Sequence, residues 1–403
     1  MANTIQRKII IGLLITTGIY SAQIAYADNT TVVDSVVTSE QQALGVSTAN
    51  EELKRLDTDT YFLSLPKYEQ DRIRMLRGFQ TKVVSVVAGD TNEAIENYLH
   101  SSAGGGGNSG VLPAYTLTHG SGFIVDKKGL VVTNRHVVMN DTFTYKVVLN
   151  DGSTIGIKKI IKDPVFDLAI IVLDMPAGKS LEQVSLLNPL QSTFIGQTVF
   201  SIGNTLGKYP FSTSEGIISE RGRSVTAYGD NGTIIDLVDL LQTDANISLG
   251  NSGGPLIDSK GTVIGMTTAF DQDAENLGFA IPTKYIISAI DTYKKFNKIT
   301  TPYLGVRYMM NNTTIQKSQN LNSAVGAYIT TDSVKEPAII PGSPAERAGL
   351  LVGDIILQVN TVKIENKMTL TNALGLYRTN KTVTLLVLRG KEKKRVTLEL
   401  LQR

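Results

Sequence analysis

From residue 121 to about 282 the chain alternates short apolar runs with turn residues: "GFIVD", "LVVTN", "YKVVLN", "LAIIVLD", "TVFSIGN", "EGIISE", "TVIGMTTAF" and "GFAIP". Many short β-rich runs at near-regular spacing predict an all-β sandwich or barrel. No long helical pattern separates them, so a doubly wound α/β sheet is disfavoured. Upstream, "TKVVSVVAGD" at 81–90 reads as a first strand, and "SSAGGGGNSG" at 101–110 as a flexible loop. "PTKYIISAIDTYKKF" at 282–296 places proline before apolar residues at helical spacing. It predicts one closing helix and a boundary. Beyond it, "YLGVRYMM", "GAYITT", "GDIILQVN" and "TVTLLVLRG" read as strands of a small second domain. Between them "GSPAERAGL" predicts a short helix: Ser343 caps it, Pro344 opens it, Glu346 closes a capping box and Gly349 ends it. Residues 28–70 are polar and mixed, with a helix expected around 39–56, and read as a linker or arm.

Composition narrows the chemistry. A chain of 403 residues allows two or three domains, and 42% hydrophobic with 19% charged residues is ordinary for a soluble globular protein. The net charge of +2 gives no global pull toward nucleic acid. Cysteine is absent, which excludes disulfides, thiolate metal sites and a cysteine nucleophile. The only histidines are His100, His119 and His136, so a multi-histidine metal site is disfavoured. At the amino terminus Arg7 and Lys8 precede an apolar run from Ile9 to Ile19, and Ala25-Tyr26-Ala27 precedes Asp28. This is the pattern of a cleaved signal peptide. The alternative is a membrane anchor, for which the run is short of the roughly 20 apolar residues a span needs. Either reading places the body outside the cytoplasm.

The chemistry concentrates in "TDANISLGNSGGPLI", residues 243–257, where glycines crowd Ser252. A serine hydroxyl is a poor nucleophile at neutral pH. It needs a base, a group that orients the base, and donors for the oxyanion. Glycines let backbone N–H groups converge without side-chain obstruction, and Gly250 and Ser252 would supply such a pair, with Asn251 between them. His100 and His119 flank the glycine-rich loop, whereas His136 in "VVTNRHVV" lies at the end of an apolar strand and is the expected base. Of Asp163, Asp167 and Asp174 in "DPVFDLAIIVLD", Asp167 opens an apolar run at a strand edge, which suits an acid that holds an imidazole. Asp163 reads as a turn residue before proline, and Asp174 as solvent-facing. The order His136, Asp167, Ser252 is that of chymotrypsin-like barrels.

Taken together, "GSGFIVD", "VVTNRHVV", "DLAIIVL", "GNTLG", "GIIS", "QTDANISLGNSGGPL" and "GFAIP" closely resemble the HtrA/Deg serine proteases, and the part from about 300 resembles the PDZ domain that follows the protease in that family. The resemblance covers roughly residues 75–403. It implies a mainly β fold, with two six-stranded barrels, a catalytic cleft between them, and a small α+β PDZ domain. It implies His136, Asp167 and Ser252 as the triad and no cofactor. It also implies a trimer or larger homo-oligomer built through the segment near Tyr61–Phe62, and action on unfolded or mislocalised proteins in the periplasm or cell envelope. The expected division is 1–27 leader or anchor, 28–74 arm, 75–298 protease and 299–403 PDZ domain.

The sequence also departs from the family. Leu249 stands where proline is common, and the acidic insertion "DQDAEN" follows "GMTTAF" at the loop bordering the specificity pocket. Ile247 would still line that pocket, favouring a small aliphatic residue before the scissile bond. In the second domain Tyr303, Leu304, Gly305 and Val306 match the loop that binds a peptide's terminal carboxylate. Arg221 and Arg223, after "GIISE", stand where regulated relatives relay occupancy of the PDZ domain. Two other roles stay open: a chaperone or peptide-binding scaffold on this fold, and a membrane-anchored regulatory protease with one signalling partner.

Overall fold

The computed structural model describes residues 9–10, 49–103, 117–205, 209–228, 234–247, 250–270, 277–331, 336–365, 368–377 and 382–402. The expected leader, apart from Ile9–Ile10, and residues 104–110, Leu249 and 271–276 lie outside that set.

The expected arm is partly helical: α1 (Ala49–Leu56), α2 (Thr60–Ser64) and α3 (Lys67–Phe79) precede the first strand. In α3 the apolar residues Met75, Leu76 and Phe79 share one helical face and join the core beneath, Met75 lying over the bare backbone of Gly261. Phe62 is only 3% exposed while Tyr61 is 75% exposed. Phe62 packs within its own chain, and Tyr61 faces out with Leu63 and Tyr68.

Seven strands form the first barrel: β1 (Val83–Gly89), β2 (Leu117–Asp126), β3 (Leu130–Thr133), β4 (Thr144–Val148), β5 (Thr154–Ile155), β6 (Ile157–Lys162) and β7 (Ala169–Leu173). They run in the order β5-β4-β1-β2-β3-β7-β6. The seventh arises because one strand of the expected six breaks at Gly156, whose carbonyl accepts from Asp174 N–H at the end of the neighbouring strand β7. Helix α4 (Asn92–Ala103) is inserted after β1. His100 lies in α4 and His119 in β2, on either side of the glycine-rich loop.

The second barrel holds β8 (Ser185–Leu186), β9 (Thr198–Thr205), β10 (Tyr209–Tyr228), β11 (Ile234–Thr243), β12 (Pro255–Asp258), β13 (Thr262–Phe270) and β14 (Gly278–Pro282). Its path β10-β9-β12-β13-β14-β11 closes because β11 also pairs with β10, while β8 adds to β13. Closure leaves no edge strand on the ring. Helix α5 (Thr283–Phe296) then ends the barrel as expected, capped by Asn297 in the left-handed region at φ 55°.

The C-terminal domain comprises β15 (Pro302–Tyr303), β16 (Tyr308–Met310), α6 (Thr313–Ser318), β17 (Ala327–Ile329), α7 (Pro344–Arg347), β18 (Ile355–Val359), β19 (Val362–Lys363), α8 (Leu370–Leu374), β20 (Thr382–Arg389), β21 (Glu392–Glu399) and β22 (Leu401–Gln402). Its main sheet runs β16-β17-β18-β20-β21, with β16 and β21 at the edges. In α7 Ser343 caps Glu346 N–H as expected, but the Glu346 carboxylate accepts from Gly342 N–H, one residue earlier than a standard capping box. The domain has its own core, from Leu304 and Ile329 through Ile356 to Leu385 and Leu400.

Among the described residues the two parts meet at a seam around Gly375 and Phe166. A Cβ at Gly375, just past α8, would stand 2.9 Å from two ring atoms of Phe166, between β6 and β7. Leu376 packs into the core of the barrels, and Phe166 lies 4.2 Å from the ring of Tyr285 on α5. Such an aromatic pair adds about 0.5–1.5 kcal/mol beyond its burial.

Candidate active site

β3 ends at Thr133, and His136 opens a single tight turn, His136–Val138. Two neighbours fix this turn: Asn134 Nδ2 donates to Asp167 O at 3.0 Å, and Arg135 Nη1 to Asp163 O at 2.9 Å. Asp163 is a turn residue, as expected, its Oδ1 accepting from Val165 and Phe166 N–H at 2.8 and 3.0 Å. That turn delivers Asp167 to the start of β7. Asp174 is exposed, also as expected.

Asp167 is 1% exposed, and both oxygens are engaged. Oδ1 accepts from His136 N–H at 2.9 Å, and Oδ2 faces His136 Nδ1 at 2.7 Å. Thr268 Oγ1, from β13 of the other barrel, donates to Oδ2 at 2.7 Å. Burial pushes the Asp167 carboxyl up, but the imidazole's charge and these three hydrogen bonds outweigh it and hold the group below the ordinary carboxylate range. With Nδ1 directed at a carboxylate, the neutral ring carries its proton there, and Nε2 is left as an acceptor.

Ser252 is brought to the same cleft by the first barrel. Ser121 N–H, in β2, donates to Ser252 O at 2.8 Å, and Ser121 Oγ to Gly250 O at 2.6 Å. Gly120 is bare for a reason: a Cβ there would lie 2.7 Å from Val137, next to His136, and 3.2 Å from Ser252 O. The His136–Asp167 pair is hydrogen-bonded, whereas no hydrogen bond joins Ser252 to His136 among the described residues.

The serine loop is tied down by its carbonyls and its later amides. Gly253 N–H donates to Thr267 O and Gly254 N–H to Asn251 O, both at 2.8 Å, and Thr267 Oγ1 donates to Asn251 O at 2.5 Å. Gly253 has φ +84°, and a side chain there would collide with Ser121 O and Thr133 Oγ1. The N–H groups of Gly250, Asn251 and Ser252 have no partner among the described residues. Unpaired consecutive donors in a tethered loop are rare unless something else is to occupy them. Gly250 holds φ +94°, a conformation glycine adopts freely. Ile247 is buried, its Cδ1 only 2.6 Å from where a Cβ on Gly278 would sit, so the isoleucine lies on bare backbone.

Sequence reasoning missed Thr268, Thr267, Asn134 and Ser121. The signal for the threonines was present: two polar residues, both fully buried, inside the otherwise apolar strand "TVIGMTTAF". Arg221 Nη1 donates to Thr193 O at 2.7 Å and Arg223 Nε to Gln242 Oε1 at 2.8 Å, both on the flank of the second barrel.

In the C-terminal domain Leu304 is buried and Gly305 has φ +86°. A Cβ at Gly305 would collide with the Ser343 side chain. Ala345 N–H donates to Leu304 O at 3.0 Å and Ile340 N–H to Gly305 O at 2.9 Å. The N–H groups of Leu304, Gly305 and Val306 have no partner among the described residues, and Tyr303 lies in β15.

Comparison with known proteins assigns these two parts. Residues 120–266 match the trypsin-like peptidase domain and residues 337–389 the PDZ domain. The fold and cleft are accordingly those of a trypsin-like serine peptidase carrying a PDZ domain. The chain is 36% identical over 286 residues to the putative serine protease HhoA of Synechocystis sp., covering 70% of each protein. It is 33% identical over 368 residues to protease Do-like 1, chloroplastic, of Arabidopsis thaliana, covering 84% of this chain and 75% of that one. To the periplasmic serine endoprotease DegP of Escherichia coli it is 33% identical over 303 residues, covering 74% and 60%. A solved HtrA-type protease, AlgW with decapeptide, matches the fold with a TM-score of 0.57 at 24% identity, covering 84% of this chain and 99% of that one. This chain belongs to the HtrA/Deg family of serine proteases.

Proposed function

We propose that the chain is an exported, ATP-independent serine endopeptidase that cuts unfolded or mislocalised proteins of the cell envelope, with His136, Asp167 and Ser252 as its triad. The observation that carries this reading is the fully buried Asp167 carboxylate bonded to His136, across a cleft from a serine whose neighbouring N–H groups are unpaired. Ser252 Oγ attacks the peptide carbonyl, and His136 Nε2 takes its proton and returns it to the leaving amine. Asp167 fixes the tautomer and steadies the imidazolium that forms. The N–H groups of Gly250 and Ser252, with Asn251 between them, receive the oxyanion. Substrate binding brings Ser252 Oγ and Nε2 into contact, as catalytic hydrogen bonds tighten on complex formation. Ile247 on Gly278 leaves room before the scissile bond for a small aliphatic side chain.

The PDZ domain takes the C-terminal end of a peptide, its carboxylate on the N–H groups of Leu304, Gly305 and Val306, as the unpaired donors of that loop support. Relatives named periplasmic endoproteases support an envelope location. Exposed Tyr61, Leu63 and Tyr68 support self-association through α2 and α3.

The test is casein cleavage by the chain and by Ser252→Ala, with and without a hydrophobic C-terminal peptide. Loss of a serine nucleophile removes on the order of 10⁶ in kcat. Cleavage by the parent alone supports the reading. Cleavage that persists in Ser252→Ala refutes it, and prevention of client aggregation with no cleavage by either favours the scaffold role.

A further inference from the structure

The two buried threonines of β13 serve different partners. Successive residues of a strand direct their side chains to opposite faces. Thr268 reaches the Asp167 carboxylate. Thr267, fully buried beside it, faces the serine loop. Its backbone already holds that loop: Gly253 N–H donates to Thr267 O at 2.8 Å, and Thr267 N–H to Gly254 O at 2.9 Å. The strand therefore needs no hydroxyl to bind the loop. The hydroxyl reaches further back along it, donating to Asn251 O at 2.5 Å, with Gly254 O a longer second acceptor at 3.0 Å.

Asn251 O belongs to the same peptide unit as Ser252 N–H. That unit is planar and trans, so its C=O and N–H point in opposite directions and turn together. Whatever fixes the carbonyl aims the amide. Two donors fix it: Thr267 Oγ1 and, at 2.8 Å, Gly254 N–H. The bond from Gly254 lies within the loop and moves with it. Thr267 belongs to the barrel wall, on a strand paired with β12 on one side and β14 on the other. The Asn251 side chain adds no anchor through its carbonyl, since Oδ1 is buried without a partner among the described residues. A carbonyl that accepts two hydrogen bonds also polarises its own peptide, which makes the N–H a stronger donor.

We infer that Thr267 is a positioning residue for the oxyanion, its hydroxyl aiming and polarising Ser252 N–H through the Asn251 carbonyl. This rests on the reading of Ser252 as the nucleophile and deepens it. Thr267 touches no reacting atom. Charge grows on the substrate's carbonyl oxygen only as the tetrahedral intermediate forms, so a misaimed donor weakens the transition state and leaves substrate binding alone. Removing a whole donor costs about 10²–10³ in kcat, and misaiming one is expected to cost less, about 10–50-fold.

Thr267→Val preserves the outline of the side chain and both backbone bonds and removes the hydroxyl, whereas Thr267→Ser keeps the hydroxyl. The full chain and both variants are assayed with a chromogenic peptide and with the matching peptidyl trifluoromethyl ketone. Ser252 Oγ adds to the ketone carbon, its proton passes to His136 Nε2, and the carbonyl electron pair becomes an oxyanion, so ketone affinity reads the donors without turnover. Thr267→Val is expected to lower kcat by about 10–50-fold with KM within about twofold, and to weaken the ketone by a similar factor. The midpoint of kcat/KM against pH is expected to stay at the parent's value, because His136 and Asp167 keep their contacts. Thr267→Ser is expected to return kcat to within about threefold of the parent. Melting curves check folding, and if Thr267→Val melts too early to assay, Thr267→Ala against Thr267→Ser makes the same contrast. Parental kcat in a folded variant without the hydroxyl overturns the inference. So does a loss of kcat with unchanged ketone affinity, or a serine variant as slow as the valine one. If the parent neither cleaves the peptide nor binds the ketone, the reading of Ser252 as nucleophile fails, and the inference with it.

Discussion

Thr268→Val removes one hydroxyl and little volume, and so isolates what the second barrel contributes to Asp167. In the native protein three donors meet a carboxylate with almost no solvent contact, at 2.7–2.9 Å. A hydrogen bond to a charged group is worth about 1.5–3 kcal/mol, and a buried oxygen that loses one has no water to replace it. At neutral pH the variant is therefore expected to lose about 1.5–3 kcal/mol, or about 3–12 °C in melting temperature for a domain of this size. The loss has a sign in pH. The folded-state pKa of Asp167 lies below the ordinary value, so the ionised group adds stability above the unfolded value near 4, and that addition disappears as pH falls through the folded pKa. Losing a donor raises the folded pKa and shrinks the addition. The gap in melting temperature between parent and variant should thus be widest near pH 7 and close only as pH falls through the folded pKa of Asp167, below the ordinary carboxylate range. In peptidase assays kcat should fall by about 10–100-fold with KM little changed, because the imidazolium loses support without loss of substrate contacts. No loss of melting temperature at pH 7, with unchanged kcat, would show that Thr268 only fills space.

Other perturbations follow from the same geometry. Gly203→Ala would drive a methyl group into the Asn251 carboxamide, displace the oxyanion donors and reduce kcat more than tenfold without unfolding the barrels, checked by kinetics beside circular dichroism. Ile247→Ala uncovers the Gly278 backbone and should move the preference before the scissile bond from valine toward leucine or methionine by roughly tenfold in kcat/KM, read with matched peptide substrates. Phe166→Ala should cost about 1–3 kcal/mol, below the roughly 3–5 kcal/mol of a fully buried ring, and speed hydrogen exchange across Leu370–Tyr377; unchanged exchange there would mean the seam is not held by this ring.

The barrels were legible because each strand announces itself with β-branched runs between turns, and closure follows from burying them. The catalytic candidates were legible for a different reason: with three histidines and one six-residue glycine–serine motif, few assignments were open. Asp167 was chosen over Asp163 for its place before an apolar run, and the structure gives the two residues the distinct surroundings expected, a buried acceptor of His136 and a turn. Helix α3 escaped notice because its apolar residues, Ile73, Met75, Leu76 and Phe79, are interleaved with charged ones, and the partner of Met75 at Gly261 is remote in sequence. Phe62 looked like a surface aromatic for the same reason. The hydrogen bond between Tyr308 and Thr371 and the Phe166–Gly375 contact join residues far apart in the chain, and neither has a local pattern that could announce it.

The seam at Gly375 alters what a point mutation in the second domain means. A single methyl group there would press on Phe166, whose neighbour in the chain is Asp167. Genetic variation at position 375 should therefore be filtered by two clients at once, the domain that owns the residue and the peptidase that feels it. A screen for second-domain substitutions that impair proteolysis while sparing peptide capture would be expected to concentrate at Gly375–Tyr377.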